Sequence, residues 1–330
     1  QSLFVLSFTH LSFLKLTAPV GLCLYSHVFV SCCSVVECSD RGVYKVPHGI
    51  PNNSSFISLK NNFISSIRMD LLHHLTSLQF LILSNNWLTD NMLSPLFNLR
   101  TLNLSHNQLT SVPMGLPPSI IELYLKGNLI KQLHERTFIG MTKLEVLDFS
   151  GNKLTNDGLG NSLNVTHLES LNLEANQLEQ VPQTLPSSLK VLNLGSNLIS
   201  SIKKVAFSNL KKLELLSVAR NKVFEVAAGA FRALSFLHQL DFSHNTLQKV
   251  PRLLPRNVHS VSLSNNRIRS VPADAFCWGN QTLTIGSDDN VCVIYELKSV
   301  CPRIVHKHRA GDSTFNLGNF ARRQENYELN

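Results

Sequence analysis

Seven cysteines stand at positions 23, 32, 33, 38, 277, 292 and 301. Their confinement to the two ends of the chain points to disulfide-stapled termini and to an oxidising compartment. The odd count leaves at least one thiol without an intramolecular partner. Cys301, His306 and His308 lack the spacing of a closed tetrahedral set, so no metal is expected. The chain has no Gly-x-Ser-x-Gly, no phosphate loop, no His-Glu-x-x-His and no Cys–His pair with a recognisable local signature. No catalytic residue and no cofactor is therefore expected, and the reading is that of a binding protein. Thirty Lys and Arg against 22 Asp and Glu give a net charge of +8 and a pI near 9.2, which makes polyanions such as heparan sulfate conceivable partners. Nucleic acid is not expected, because no recognised binding motif accompanies the charge. Against this basic background Glu122, Glu145, Asp148, Glu169 and Glu174 crowd one stretch, and charge so concentrated against the net balance reads as a binding feature.

The element that must carry these residues is a repeat. From Ile57 to Ile268 the pattern Leu-x-x-Leu-x-Leu-x-x-Asn-x-Leu recurs, as in Leu78–Leu88, Leu144–Leu154 and Leu189–Ile199. Its asparagine falls at 62, 86, 107, 128, 152, 176, 197, 221, 245 and 266, ten copies separated by 21 or 24 residues. A fixed period of this length is the signature of a solenoid. The Leu-x-Leu core has period two, so each copy predicts a short strand with leucines inward and the residue between them outward. The asparagine sits where the chain leaves the strand, and its amide can both donate to and accept from backbone groups of the buried turn. Loss of one such amide, as in Asn152→Ala, is expected to cost about 1–3 kcal/mol. Phe138, Phe207, Phe231 and Phe276, with Leu72 and Leu163 in matching places, form a second column that reads as a convex packing spine.

A longer period overlies the first. Val46-Pro47, Val112-Pro113, Val181-Pro182 and Val250-Pro251 each begin a Val-Pro-x-x-(Ile/Leu)-Pro segment. Proline fixes φ and removes a donor, so these linkers should be extended, whereas the other copies have room for a helical turn. The order is short-long-long. The fold expected is an α/β leucine-rich repeat solenoid, a curved horseshoe with a parallel β-sheet on its concave face and Cys-bearing caps.

Four residues before each ladder asparagine the sequence reads Ser58, Ile82, Asn103, Tyr124, Asp148, Asn172, Asn193, Ser217, Asp241 and Ser262. These are expected to line the concave face as a polar sheet. The candidate ligand-binding set is Glu122, Tyr124, Glu145, Asp148, Glu169, Asn172 and Glu174, with Tyr124 the aromatic expected to supply contact area.

The short-long-long order, the run from Val35 to Gly42 ahead of Val46-Pro47, and the last repeat bearing Cys277 resemble the small leucine-rich proteoglycans, over roughly residues 33–303. Within that family the chain looks nearer to the nephrocan and podocan branch. The resemblance implies a secreted extracellular-matrix protein that binds fibrillar collagen or transforming growth factor β family ligands through the concave face. It also implies association of two copies through that face. Disulfide members carried over from the family are Cys38, with Cys33 beside it and the pairing at that end left open, and Cys277 with Cys301 or Cys292 at the other end. The match fails at the N-terminal knot, where the family has four cysteines and here only Cys32 and Cys33 closely precede Cys38.

The expected organisation is a leader-like apolar segment over 1–31, an N-terminal Cys cap over 32–52, ten repeats over 53–276, a C-terminal Cys cap over 277–303 and a flexible basic tail over 304–330. A membrane anchor or an artefact are the other readings of 1–31. Sequons at Asn52, Asn53, Asn103, Asn164 and Asn280 fit secretion. A glycan on Asn103 would cover part of the concave face. Lys203, Lys204, Lys211, Lys212 and the tail supply basic surface for an acidic glycan. The rival function is the ectodomain of a leucine-rich repeat receptor, disfavoured because no apolar stretch of spanning length follows residue 38.

Overall fold

The computed structural model describes residues 23–27, 34–67, 72–89, 96–163, 165–269, 283–286 and 304–306. Among the described residues fourteen strands form one sheet. It begins with β1 (Leu24–His27) and β2 (Ser34–Glu37), which are antiparallel. The ten repeats then contribute β3 (Ser54–Ser58), β4 (Phe80–Ile82), β5 (Thr101–Asn103), β6 (Glu122–Tyr124), β7 (Val146–Asp148), β8 (Ser170–Asn172), β9 (Val191–Asn193), β11 (Leu215–Ser217), β13 (Gln239–Asp241) and β14 (Ser260–Ser262). Parallel pairing carries on through β15 (Leu283–Gly286) and β16 (Ile304–His306). A small second sheet pairs β10 (Ser201–Ile202) with β12 (Glu225–Val226) away from the main wall. Among the described residues the only α-helix is the single turn α1 (Asn156–Leu159), so the α component of this solenoid is reduced to turns. No helix among them is long and apolar enough to cross a membrane.

Register explains why the repeat works. From β4 to β13 the central residue of each strand of the main sheet is a leucine paired with the leucine of the next, as Leu81 with Leu102, Leu102 with Leu123, Leu123 with Leu147 and Leu147 with Leu171. All are fully buried. At roughly 1.5–3 kcal/mol for each such side chain the stack has the driving force to offset chain ordering, but a lone copy would have nothing to bury them against.

The asparagine column closes the turns as its chemistry requires. Asn152 donates through Nδ2 to the carbonyls of Phe149 in its own copy and Leu125 in the copy before, both at 2.9 Å, and its Oδ1 accepts the Ile130 N–H at 3.0 Å. Asn107, Asn176 and Asn221 repeat the arrangement. The N-terminal cap has Arg41 in the equivalent place, so the first rung is made by Asn62, which accepts the Arg41 and Val43 N–H groups. The residue before every ladder asparagine is left-handed: Gly127 and Gly151 have φ of 66°, while Asn85, Ala175, Ser196 and Arg220 hold 53° to 54°.

On the convex side Phe138, Phe207 and Phe231 are buried with Leu72 and Leu163. Phe207 stacks on Phe231 at 5.7 Å, and Phe231 meets Phe242 edge-on at 5.7 Å. Phe276 lies outside the described residues. In the copy carrying α1, Thr155 caps the turn by accepting the Gly158 N–H. Position 158 must be glycine, because a Cβ there would overlap the carbonyl oxygen of Lys131.

The N-terminal cap differs from expectation. Cys38 is a disulfide member, and its partner is Cys23, which was not among the cysteines carried over from the family. Cys23 fell within the segment read as leader, yet it packs against the same core that buries Val36 and Cys38. Apolar composition alone cannot separate a leader from a capping hairpin. Cys33, Cys277 and Cys301 lie outside the described residues.

Candidate concave binding face

The three-residue strands end abruptly, and this governs what the concave face can do. After five of the strands one N–H falls between rungs of the ladder, and the side chain two residues earlier turns back to accept it. Asp148 Oδ1 accepts from Ser150, Asn172 from Glu174, Asn193 from Gly195, Asp241 from Ser243 and Asn103 from Ser105, at 2.8 to 3.0 Å. This is an Asx-type turn repeated along the wall. Asp148 is fully buried, and Asn103, Asn172, Asn193 and Asp241 are at most 7% exposed. The column expected to meet a ligand is thus mostly engaged in closing the fold.

Tyr124 requires a plain correction. It is fully buried, clustered with Val146 and Val191 and packed by Leu215, and its hydroxyl lies 3.2 Å from Glu122 Oε2. It is a packing residue of the wall and cannot offer its ring to a partner. Val146, Val191 and Leu215 precede the buried column by two residues on their strands, so the centre of the face is partly apolar rather than a uniformly polar sheet. Phe56 and Phe80 continue that line toward the N-terminal end, 6.2 Å apart.

The carboxylates divide into two groups. Glu145 and Glu169 lie one residue ahead of their strands, where Lys190 joins them: its Nζ is 2.8 Å from Glu169 Oε1, with both side chains nearly half exposed. The hydrogen bond to Glu169, with the nearby charges of Glu169, Glu214 and Glu145, raises the Lys190 pKa above its ordinary value. Sequence reading passed over Lys190; its place one residue after the first leucine of its copy is the same as that of Glu145 and Glu169. At the far end of the strands Glu174 accepts from Asn193 Nδ2 at 3.0 Å, and its charge is felt by Asp148. Burial pushes the Asp148 carboxyl up to about 6, partly opposed by the Ser150 N–H and the Lys126 charge. Asp241 is raised for the same leading reason. Glu122 lies between, 3.3 Å from the Thr101 hydroxyl.

Where Gly195 and Ala219 leave no bulk beyond the strands, the face dips into a hollow of about 160 Å³ bounded by Glu174, Asp241 and His244. A larger recess of about 660 Å³, lined by Lys131, Lys153, Asp157 and Gln177, opens on the flank. Among the described residues no group of three or more His, Cys, Asp or Glu side chains is placed to hold a metal. Asn52 and Asn53 are exposed ahead of β3, Asn103 is buried in the wall, and Asn164 and Asn280 lie outside the described residues. Lys203, Lys204, Lys211 and Lys212 are all exposed.

The leucine rich repeat family profile matches residues 97–154, 118–178 and 166–223. Over 250 residues the chain is 30% identical to podocan of Mus musculus, covering 73% of this chain and 41% of that protein. Over 268 residues it is 35% identical to asporin of Bos taurus, covering 79% of this chain and 70% of asporin. It therefore spans less than half of podocan. A solved Toll–Spatzle complex from Drosophila superposes with a TM-score of 0.56 at 19% identity, covering 78% of this chain and 45% of that one, a likeness of fold. The short-long-long repeats, the Cys-bonded N-terminal cap and identity sustained across most of asporin place this chain in the small leucine-rich proteoglycan family.

Proposed function

We propose that the protein is a secreted extracellular-matrix binding protein that holds a protein ligand, fibrillar collagen or a transforming growth factor β family ligand, on its concave face. The observation that carries the reading is the charged edge Glu145–Glu169–Lys190–Glu214. It joins two partly exposed members of the candidate set, Glu145 and Glu169, to Lys190 and Glu214, which that set did not include, and its carboxylates outnumber its one ammonium on a chain of net charge +8. Accessible charge of one sign favours encounter and register with a basic partner surface. The Cys23–Cys38 bond supports an oxidising compartment, as does membership of this family. Two copies meeting through their concave faces would compete with the ligand. Heparan sulfate would find its contacts away from this face, at Lys203, Lys204, Lys211 and Lys212. Glycans are expected at Asn52 or Asn53 before Asn103, whose amide is buried.

The test is retention on fibrillar collagen, and on immobilised growth factor, across a salt series, comparing the parent with Glu145→Lys/Glu169→Lys. Both glutamates are partly exposed, so the fold should survive. Retention weakened at least tenfold, with the parent's own retention falling as salt rises, is the expected result. Equal retention of parent and variant on both ligands would place the contact elsewhere.

A further inference from the structure

The N-terminal flank carries a feature that the concave reading does not use. Tyr44, Phe63 and Trp87 come from three successive turns and are 65%, 38% and 48% exposed. They stack in a row, Tyr44 to Phe63 at 5.3 Å and Phe63 to Trp87 at 4.8 Å between ring centres, tilted by 32° and 47°. Phe63 and Trp87 each follow a ladder asparagine directly, the position taken by Gln108, Lys153, Gln177 and Lys222 in other copies. Nothing in the repeat demands an aromatic there, and three exposed rings in one row are a surface whose apolar area is not explained by folding.

A polar row runs with it. Asn85 donates through Nδ2 to Asn61 Oδ1 at 2.7 Å, and Asn61 donates to Asp40 Oδ1 at 3.0 Å. Asn61 and Asn85 stand two residues before Phe63 and Trp87. Each amide uses one of its two N–H groups in this chain. Among the described residues neither the Trp87 indole N–H nor the Tyr44 hydroxyl has a hydrogen-bond partner. The flank thus offers rings together with spare donors, and within the two rows Asp40, at one end, is the only formal charge.

We propose that this aromatic and amide ladder is a docking surface for a single proline-rich chain in the polyproline II conformation. Charge and hydrogen-bond complementarity select that occupant. The ring faces and Asp40 disfavour an anion, and Asp40 alone, at one end, offers a cation a single ionic partner, so most of the row suits a neutral ligand. A proline-rich chain is rich in carbonyl acceptors and poor in N–H donors, the converse of what the ladder presents, and polyproline II leaves those carbonyls without internal partners. The dimensions agree: the row spans about 10 Å from its two centroid steps, and one polyproline II turn of three residues advances about 9.3 Å. Aromatic-lined surfaces recognise such segments because the ligand is already ordered before it binds.

The experiment uses the full chain and follows tryptophan emission and calorimetric heat on titration with a neutral proline-rich decapeptide. The expected result is a blue shift with saturable binding, weakened at least tenfold in Trp87→Ala and in Tyr44→Ala by calorimetry and retained in Glu145→Lys/Glu169→Lys. Both single variants alter exposed rings, and circular dichroism checks their folding. The proposal is overturned if the peptide does not bind at millimolar concentration, if the two alanine variants bind it as the parent does, or if a neutral oligosaccharide or a triple-helical peptide binds the row while the single-chain peptide does not. Failure here leaves the concave reading untouched, because that reading depends on Glu145 and Glu169.

Discussion

Asp148 Oδ1 accepts the Ser150 backbone N–H at 2.8 Å, and one strand along Asn172 Oδ1 accepts that of Glu174 at 3.0 Å. The same turn is closed once by a carboxylate and once by an amide, both buried. The amide does it without a charge to desolvate. Asp148 has its pKa raised by burial from 3.8 to about 6, so between these values the folded state binds the proton more tightly than the unfolded one. Stability from this group is therefore present below about pH 4 and is lost as pH rises through about 6, by about 3 kcal/mol in all. Asp148→Asn should raise stability at pH 7 by about 1–3 kcal/mol and flatten the pH 4–6 slope. Urea unfolding at pH 4 and pH 7 measures both; a variant whose slope matched the parent's would assign the titration to another group, Asp241 being next.

The asparagine ladder makes a sharper demand. Asn152→Ala leaves the buried Ile130 N–H without an acceptor and takes one of two amide donors from the Leu125 and Phe149 carbonyls, which keep Asn128 and Asn176. The loss should approach about 3 kcal/mol, the upper end for a single orphaned buried group. Asn61→Ala, on the exposed amide row, should cost less than about 1 kcal/mol. Chemical denaturation of the two variants side by side reads the contrast, and equal losses would contradict the assignment of the buried amides as the structural ones.

What the sequence made legible followed from how many jobs a residue type can do at a given place. An asparagine recurring after a Leu-x-Leu strand has one buried turn to close, so its role could be derived from donor and acceptor count alone. The column four residues earlier had two possible roles, facing a ligand or capping the strand end, and alternation along a strand cannot distinguish them. Tyr124 was misread for that reason: outward on a strand was equated with exposed, whereas neighbouring strands about 4.8 Å apart let Val146 cover its ring. Lys190 was missed because the acidic pattern was gathered by charge sign rather than by register. The bond from Cys38 to Cys23 was hidden by the apolar residues around Cys23, which fit a leader as well as a cap.

Left-handed backbone at a residue with a side chain is a reservoir of strain that the repeat tolerates. Ala175 holds φ of 54° in the place where Gly127 and Gly151 hold 66°. An L-residue there costs about 1–2 kcal/mol, offset in part by the greater entropy a glycine has to lose. Ala175→Gly should therefore stabilise by about 0.5 kcal/mol and Gly151→Ala destabilise by about 1 kcal/mol. Thermal melts of the pair should move in opposite directions, and movement in the same direction would mean that side-chain packing, not backbone conformation, rules this position.

The cap gives the last test. Cys23 and Cys38 are 15 residues apart, and closing a loop of that size removes unfolded-state entropy worth about 3 kcal/mol. The bond also ties β1 against β2, and β2 is the strand on which the first repeat stacks, so its loss should loosen one end of the solenoid before the middle. Cys23→Ser and Cys38→Ser should destabilise by similar amounts, with hydrogen exchange rising first over residues 34–67 and leaving the strands around Leu147 protected. Cys33→Ser should do neither. Peptide mapping without reduction should recover Cys23 joined to Cys38. A map joining Cys38 to Cys32 or Cys33, with exchange at 34–67 unchanged in Cys23→Ser, would overturn the Cys23–Cys38 bond and remove β1 from the cap.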